Sequence, residues 1–337
     1  LNVVTAFIFT AMMGAGPVIA IGVIVLPILM SLGIPKAIAM FTFMGSVSAG
    51  MYLNPVLQFS QLRAFICASD EMPEFSFSWY TSHWGIYALI ISVVVVSVLT
   101  GIYLKIGKKS HAWAAQAAPK NTQTDAPLIA LILPIVPVVL KIWLDFSVIG
   151  GFVIAGFAAL FLCGKMNKSF KENCQLVNKL YYDGVVDTAP LVGFLLTLPM
   201  FNTCASYASP YFKEVLGGIM PTNEYVVCAL FAALSILGFF RGPLTLYGCG
   251  AATLGVLSAV GHFSVPFLFC VFTIPATTVN VGSCITQSWI AWGLAYTKVE
   301  SRDYLKLSIP FAYICSILLY ILTAFTVTGL GPEWFLS

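Results

Sequence analysis

The sequence predicts an all-α polytopic membrane protein with discontinuous helices, a re-entrant hairpin and two inverted repeats, the first of them incomplete. Three observations predict it. Of 337 residues, 59% are apolar and only 9% are charged, against roughly 25% charged in a soluble domain; mean hydropathy is +0.94. The apolar blocks are long and continuous, as in 84–106, whereas barrel strands alternate over about ten residues. Two widely separated stretches also follow one pattern of glycines, prolines and small polar residues. Sixteen Lys or Arg and 13 Asp or Glu cannot clothe a soluble protein of this size, which excludes a cytosolic enzyme, a secreted module and a disordered chain. A net charge of +3 supplies no nucleic-acid surface.

A crossing needs about 20 apolar residues. Candidate elements run over 1–31, 36–59, 84–105, 126–142, 147–163, 184–217, 223–261, 264–297 and 305–328. The chain opens inside an apolar block without Met, which reads as an N-terminally truncated piece of a longer protein. Segments 105–125 (Lys105, Lys108, Lys109, Lys120), 164–183 (Lys165, Lys168, Lys171, Lys179) and 298–306 (Lys298, Arg302, Lys306) are basic. The positive-inside rule places them in the cytoplasm. Segment 60–83 carries Asp70, Glu71 and Glu74 with interfacial Trp79, Tyr80 and, just beyond, Trp84, and is placed outside. Parity agrees: 84–105 runs inward, 126–163 is a hairpin from the cytoplasm, 305–328 runs outward, and the tail ends outside. Segment 165–182 reads either as an amphipathic helix on the inner surface or as a solvated loop.

The repeat is visible in two runs. The first is Gly14-Ala15-Gly16-Pro17, then Gly33, then Ser46 to Gln58. The second is Arg241-Gly242-Pro243-Leu244, then Gly261, then Ala276 to Gln287. A hydrophilic loop follows each, outside for the first and inside for the second, so the copies have opposite topology. The domain reading is a remainder of the first repeat at 1–105, a cytoplasmic linker at 106–125, a second repeat at 126–329 and an external tail at 330–337. As one helix, 223–261 would reach about 58 Å, nearly twice the hydrocarbon core. Pro243 and the glycines after Arg241 break it. Backbone freed by such breaks is tolerated where it lines a cavity or binds a solute; close packing of helices is the alternative reading.

Within the breaks lie the residues able to do chemistry. Arg241 begins the Gly/Pro break, where its guanidinium either holds a carboxylate or snorkels to the inner interface. Gly242, Thr245, Tyr247 and Thr253 follow it. Asn280, Ser283, Thr286 and Gln287 line the second break, with Asn54 and Gln58 as counterparts in the first repeat. Asn202 and Thr203 mark the tip of the hairpin 184–217. Asp187 is the ion-coupling candidate, or a helix cap. Neutral donors and helix N-termini suit a carboxylate that must enter and leave, and also Na⁺. Nine scattered cysteines without a Cys-x-x-Cys pair act as small apolar packers, so no metal, disulfide or cofactor is expected. No nucleophile–base spacing, paired carboxylate or phosphate loop supports an enzyme.

The order of hairpin, Gly-rich broken helix, apolar helix, second polar break, Trp-rich exit, basic loop and last span resembles the gluconate permease family. That family belongs to the larger ion transporter superfamily. Arg241 to Ser258 occupies the place of the family's Gly-Ser-Ala-Thr-Val-Ala run. Asn280 to Leu307, notably Ser283-Cys284-Ile285-Thr286-Gln287-Ser288-Trp289, occupies that of its late His-x-Asn-Asp-Pro-Gly-Phe-Trp motif. Cys284, Thr286 and Gln287 stand where members carry His, Asn and Asp. The resemblance implies a secondary active transporter of a small organic anion in the inner membrane. The anion would be a hydroxy-carboxylate or a dicarboxylate. Coupling would be to H⁺ or Na⁺, with elevator-like movement. Lipid and a second copy in a homodimer are the other implied partners. The family's first spans would lie before Leu1. The rival readings are a channel or cation/proton exchanger, and a non-transporting scaffold or receptor.

Overall fold

The computed structural model describes residues 1–12, 14–67, 75–107, 148–166, 169–186, 221–261 and 263–329, with isolated positions between 127 and 140 and between 200 and 214. All regular structure among them is helical. The chain clusters into two compact units, Leu1–Ala117 with Phe201–Ser337, and Ala118–Met200. Among the described residues, two helices are long and apolar enough to cross a membrane, Phe77–Ile106 and Ser301–Thr326, and a bent pair makes up to a third.

In the larger unit, the candidate element 1–31 is two helices, α1 (Asn2–Ala11) and α2 (Ala15–Ser31). Gly14 takes φ 108° between them, a conformation open to glycine and strained for other residues. Pro17 is tolerated in the first turn of α2, where its missing N–H would lack a partner anyway. Helix α2 stops in a Schellman turn: Ile34 N–H reaches Leu29 O at 3.2 Å and Gly33 N–H reaches Met30 O at 3.0 Å, with Gly33 at φ 81° and Pro35 beyond. Helix α3 (Lys36–Met51) follows. Lys36 is its first residue.

From Ile38 to Met51 every residue of α3 is buried. Its small residues set how closely others approach. A Cβ on Gly50 would lie 2.1 Å from Ala6 O of α1, and one on Gly45 2.7 Å from Val96 Cγ2. The chain turns at Tyr52-Leu53-Asn54 and continues as a π-helical segment, Pro55–Phe59, and α4 (Ser60–Ile66). The span read as 84–105 begins earlier. Ser76 Oγ caps α5 (Phe77–Tyr80) by accepting from Trp79 N–H at 3.2 Å. A π turn at Thr81–Gly85 then joins it to α6 (Ile86–Gly107).

The smaller unit contains α7 (Val148–Leu162) and a helix over 170–186, α8. Gly164, at φ 65°, closes α7 with Lys165 N–H on Leu160 O at 2.9 Å. Of the two readings of 165–182, helix is the one found. Most of the candidate hairpin 184–217, with Asp187 and Asn202, lies outside the described residues, as do His111, His262 and the tail 330–337.

Back in the larger unit, Asn223 caps α9 (Glu224–Ala233), accepting from Tyr225 N–H at 2.8 Å. The sequence places one break in 223–261, at Arg241; the structure has two. The chain bends by 63° between α9 and a 3₁₀ segment, Ser235–Arg241, and breaks again after Phe239. The 3₁₀ segment is pressed against a π-helical run, Pro275–Val281: a Cβ on Gly238 would stand 3.2 Å from Pro275 Cβ. Helix α10 (Gly250–Val260) follows, then α11 (Val265–Ile274), which runs into that π segment. Every residue from Val265 to Val281 is buried, so α11 is a second core helix beside α3. Helix α12 (Ser288–Thr297) ends with Lys298 left-handed at φ 56°, and α13 (Ser301–Thr326) closes the unit.

With α5 set aside, two runs of elements share one order. A helix, a break, a helix, a Gly turn, a buried helix, a polar turn, a short helix and a long span occur as α1, α2, α3, α4, α6 and as α9, α10, α11, α12, α13. The copies interlock: α4 packs against α11, α12 packs against α3, and α6 packs against α13. Buried polar bonds cross between them, such as Trp84 Nε1–H to Thr323 Oγ1 at 3.0 Å and Ser92 Oγ with Cys315 Sγ at 3.4 Å.

Candidate functional site

The ends of α3 and α11 are where buried polar side chains gather. From the first copy, Tyr52 OH pairs with Thr278 Oγ1 at 2.5 Å, and Gln58 Nε2 donates to Thr277 Oγ1 at 2.8 Å. All four residues are buried. Tyr80 OH donates to Tyr52 O at 2.9 Å and so holds the first turn in place. On the second turn, Ser283 Oγ donates to Thr278 O at 3.0 Å. Tyr304 OH of α13 donates to Gly282 O at 2.7 Å, and Ser308 Oγ to Ser283 O at 3.3 Å. Carbonyls released by the break thus find hydroxyl donors, as buried backbone requires.

The second copy adds Arg241. Phe240 and Arg241 both take left-handed φ, 53° and 58°, at a cost of roughly 1–3 kcal/mol each. The surrounding backbone imposes it. Cys249 N–H reaches Arg241 O at 3.1 Å, Gly242 N–H reaches Phe239 O at 3.0 Å, and Gly250 N–H reaches Thr245 O at 2.9 Å. A Cβ on Gly242 would lie 1.9 Å from Leu237 O, and one on Gly248 2.1 Å from Arg241 O, so this knot closes only around glycine. Thr253 Oγ1 ties α10 to it by donating to Pro243 O at 2.6 Å. The half-buried guanidinium donates through one NH₂ group to Tyr247 O at 2.9 Å and through the other to Gln287 Oε1 at 3.2 Å. Tyr247 OH in turn donates toward Gln58 Oε1 at 3.4 Å and Gln61 Oε1 at 3.5 Å. A chain of polar groups therefore runs from Gln287 through Arg241, Tyr247 and Gln58 to Thr277.

Of the residues singled out from sequence, Arg241, Gln287, Gln58 and Ser283 enter these networks and Gly242 shapes the knot. Thr245 and Asn280 are fully buried, yet Thr245 Oγ1 and both amide atoms of Asn280 have no hydrogen-bond partner among the described residues. Asn54 is buried and turned to α1, donating to Phe9 O at 3.4 Å. Thr286 is exposed and pairs with Cys284 Sγ at 2.9 Å, and that sulfur also receives Phe240 N–H at 3.2 Å. Thr203 is helical and exposed. Cys284 is a packer, as expected, but also an acceptor for strained backbone.

Sequence reasoning names Tyr247 as a hydrogen-bonder beside Arg241 but did not select Tyr52, Gln61, Thr277 and Thr278. The first and the last two lie inside the repeated stretches, so reading those as paired polar faces is the signal that finds them. Tyr247 and Gln61 join only through tertiary packing, where Tyr247 also meets Phe65 edge-on at 6.3 Å between ring centroids. Comparison of the chain with family models, with curated proteins and with solved structures finds no match in any of the three.

Proposed function

We propose that this chain belongs to a secondary active transporter for a small organic anion, a hydroxy-carboxylate or a dicarboxylate, coupled to H⁺ or Na⁺. The observation that carries the reading is the strained knot at Phe240–Gly250, which fixes a half-buried Arg241 beside a polar cluster drawn from the ends of both core helices. Backbone strain of this kind persists where the surroundings over-determine it and clusters at ligand clamps. The repeated element order supports an inverted-repeat architecture, in which broken helices meet around a substrate site at the midplane. The resemblance to gluconate permeases supports the same class.

In this reading Arg241 attracts the carboxylate through its planar fork, exchanging its neutral acceptors for a charged one. Gln287, Gln58, Thr245, Asn280 and Ser283 contact the rest of the anion or the coupling ion. The broken helices move as a body against the long spans α6 and α13, with the basic segments in the cytoplasm and the C-terminus outside. The test is uptake by full-length protein in proteoliposomes. Labelled gluconate or citrate should accumulate above equilibrium under an imposed ion gradient, and an ionophore should abolish the accumulation. Flux that only follows the solute's own gradient makes the protein a channel. No flux of any organic anion overturns the reading.

A further inference from the structure

Helix α8 of the smaller unit begins where an apolar helix ends. Helix α7 has no charged residue from Val148 to Leu162. It exposes an apolar row, Val153, Phe157 and Phe161, of the kind that faces lipid in a chain this apolar. The Gly164 turn leads from it to Lys165, which is exposed. Asn173 Nδ2–H then ties α8 back to this turn by donating to Met166 O at 2.9 Å. Of residues 170–186, only Asn173, Leu176 and Val177 are half-buried. At about 100° per residue these three share one flank, the covered one. Beside it runs an apolar row of Phe170, Cys174 and Tyr181. Phe170 is 83% exposed and Tyr181 72%, and Cys174 is an exposed free thiol. Lys171 borders this row on its other side. Lys179 lies opposite to it, and the acids Glu172 and Asp183 fall beyond Lys179. Bases therefore edge the apolar row, and acids are turned away from it.

Such a helix fits a surface that is apolar at depth and anionic at its rim. A bilayer containing anionic phospholipid is that surface. Tyrosine rings settle at headgroup level, lysine stems lie over the acyl boundary with the ammonium on phosphate, and a helix divided in this way lies in the plane of the interface. We infer that α8 is a docking surface for anionic phospholipid: Phe170, Cys174 and Tyr181 enter the acyl boundary, and Lys165 and Lys171 hold headgroup phosphates. Charge complementarity sets the lipid class, because Lys165 and Lys171 stand at the edge of the apolar row while Glu172 and Asp183 point to water. Continuity with α7 sets the depth, because α8 starts four residues past the Gly164 turn. The contact needs a bilayer and no transported anion, so it stands or falls apart from the transport reading.

Cys174 is a native probe of the apolar row. Full-length protein is placed in nanodiscs of phosphatidylcholine alone, or of equal parts phosphatidylcholine and phosphatidylglycerol. An uncharged polyethylene glycol maleimide is added, and the Cys174 peptide left unmodified is followed in time by mass spectrometry. At low salt, alkylation should be about 25-fold slower with phosphatidylglycerol, fivefold for each of the two lysines near the anionic surface. Molar salt should remove that difference. Lys165→Gln and Lys171→Gln should each leave about fivefold of it, and Lys179→Gln, on the water side, far more. Phe170→Ser should speed alkylation in both lipids. Asp183→Cys, which faces water, should react at one rate in both and so corrects for access of the reagent. Equal rates at Cys174 in the two lipids overturn the inference: if both are fast, the row faces water, and if both are slow and indifferent to salt, a second copy, another segment or uncharged lipid covers it. Full protection in Lys171→Gln overturns the headgroup contact. Slowing by free glycerol phosphate in phosphatidylcholine discs makes the lysines a site for soluble phosphate and overturns the lipid assignment.

Discussion

At residue scale the site depends on how a guanidinium is held without being locked. Arg241 donates to a backbone carbonyl and to the Gln287 amide, both neutral acceptors that a carboxylate can replace with a stronger, charge-assisted bond. Gln287→Leu removes one acceptor. It also removes the amide donor that, in the proposed reading, contacts the anion; because a hydrogen bond to a charged group contributes roughly 1.5–3 kcal/mol, anion binding should weaken by about that much in equilibrium titration while expression stays at the wild-type level. Arg241→Lys keeps the charge and loses the fork, and should bind the anion more weakly. Arg241→Gln should lose uptake while the protein remains folded. Full uptake by Arg241→Gln would return Arg241 to a snorkelling role and leave the neutral donors to hold the anion. Thr286, exposed and tied to Cys284, should tolerate Thr286→Val better than Gln287 tolerates Leu.

At the scale of elements, the two core helices differ in how they are approached. Helix α11 itself carries large buried apolar side chains around its circumference, among them Phe267, Phe269 and Phe272. Helix α3 uses small residues that let neighbours come close, most tightly at Gly50, where the obstacle to a side chain is the Ala6 carbonyl of α1. Backbone cannot rotate away as a side chain can. Gly50→Ala should therefore force α1 from α3 and cost about 1–3 kcal/mol, seen as a lower melting temperature. Gly101→Ala, in α6 with nothing within 4 Å of the new Cβ, is the matched control. It should be neutral or stabilising by about 0.5–1 kcal/mol, since alanine is the better helix residue. Equal melting of the two variants would show that the α1–α3 crossing is looser than described.

At the scale of the whole molecule, the reading of two opposed copies makes a statement about sides. In a cysteine-free background, cysteines at Lys165 and Lys298 should react with an impermeant reagent only from the cytoplasmic face, and one at Ser82 only from the outer face. Labelling of Ser82 and Lys298 from the same side removes the opposed topology, whatever the fate of the substrate site.

Much of this was legible in the chain itself. Composition together with the long continuous apolar blocks pointed to helices, because a chain this apolar reads as membrane-embedded and lipid otherwise admits only closed barrels, whose strands alternate. The 84–105 apolar run and the last span appear as long helices, extended at their starts to Phe77 and Ser301. The breaks were legible too, since Gly14, Gly33 and Gly242 are punctuation whose cause is local: a positive φ in the first two, and a 1.9 Å approach to Leu237 O in the third. The pattern could not show the extra bend before Ser235, which comes from the 3₁₀ segment fitting against Pro275 and Val279. Nor could it show which polar residues meet. Asn54 and Gln58, four apart, go to different partners, Phe9 O and Thr277 Oγ1, because a π turn begins between them. Tyr247 reaches Gln58 across 189 positions. Sequence determined the helices and where they break, because hydropathy, glycine and proline act within a few residues. Tertiary structure alone decided that Arg241 faces Gln287, that Gln58 takes Thr277 and that Asn280 has no partner among the described residues, because those contacts join segments far apart in the sequence.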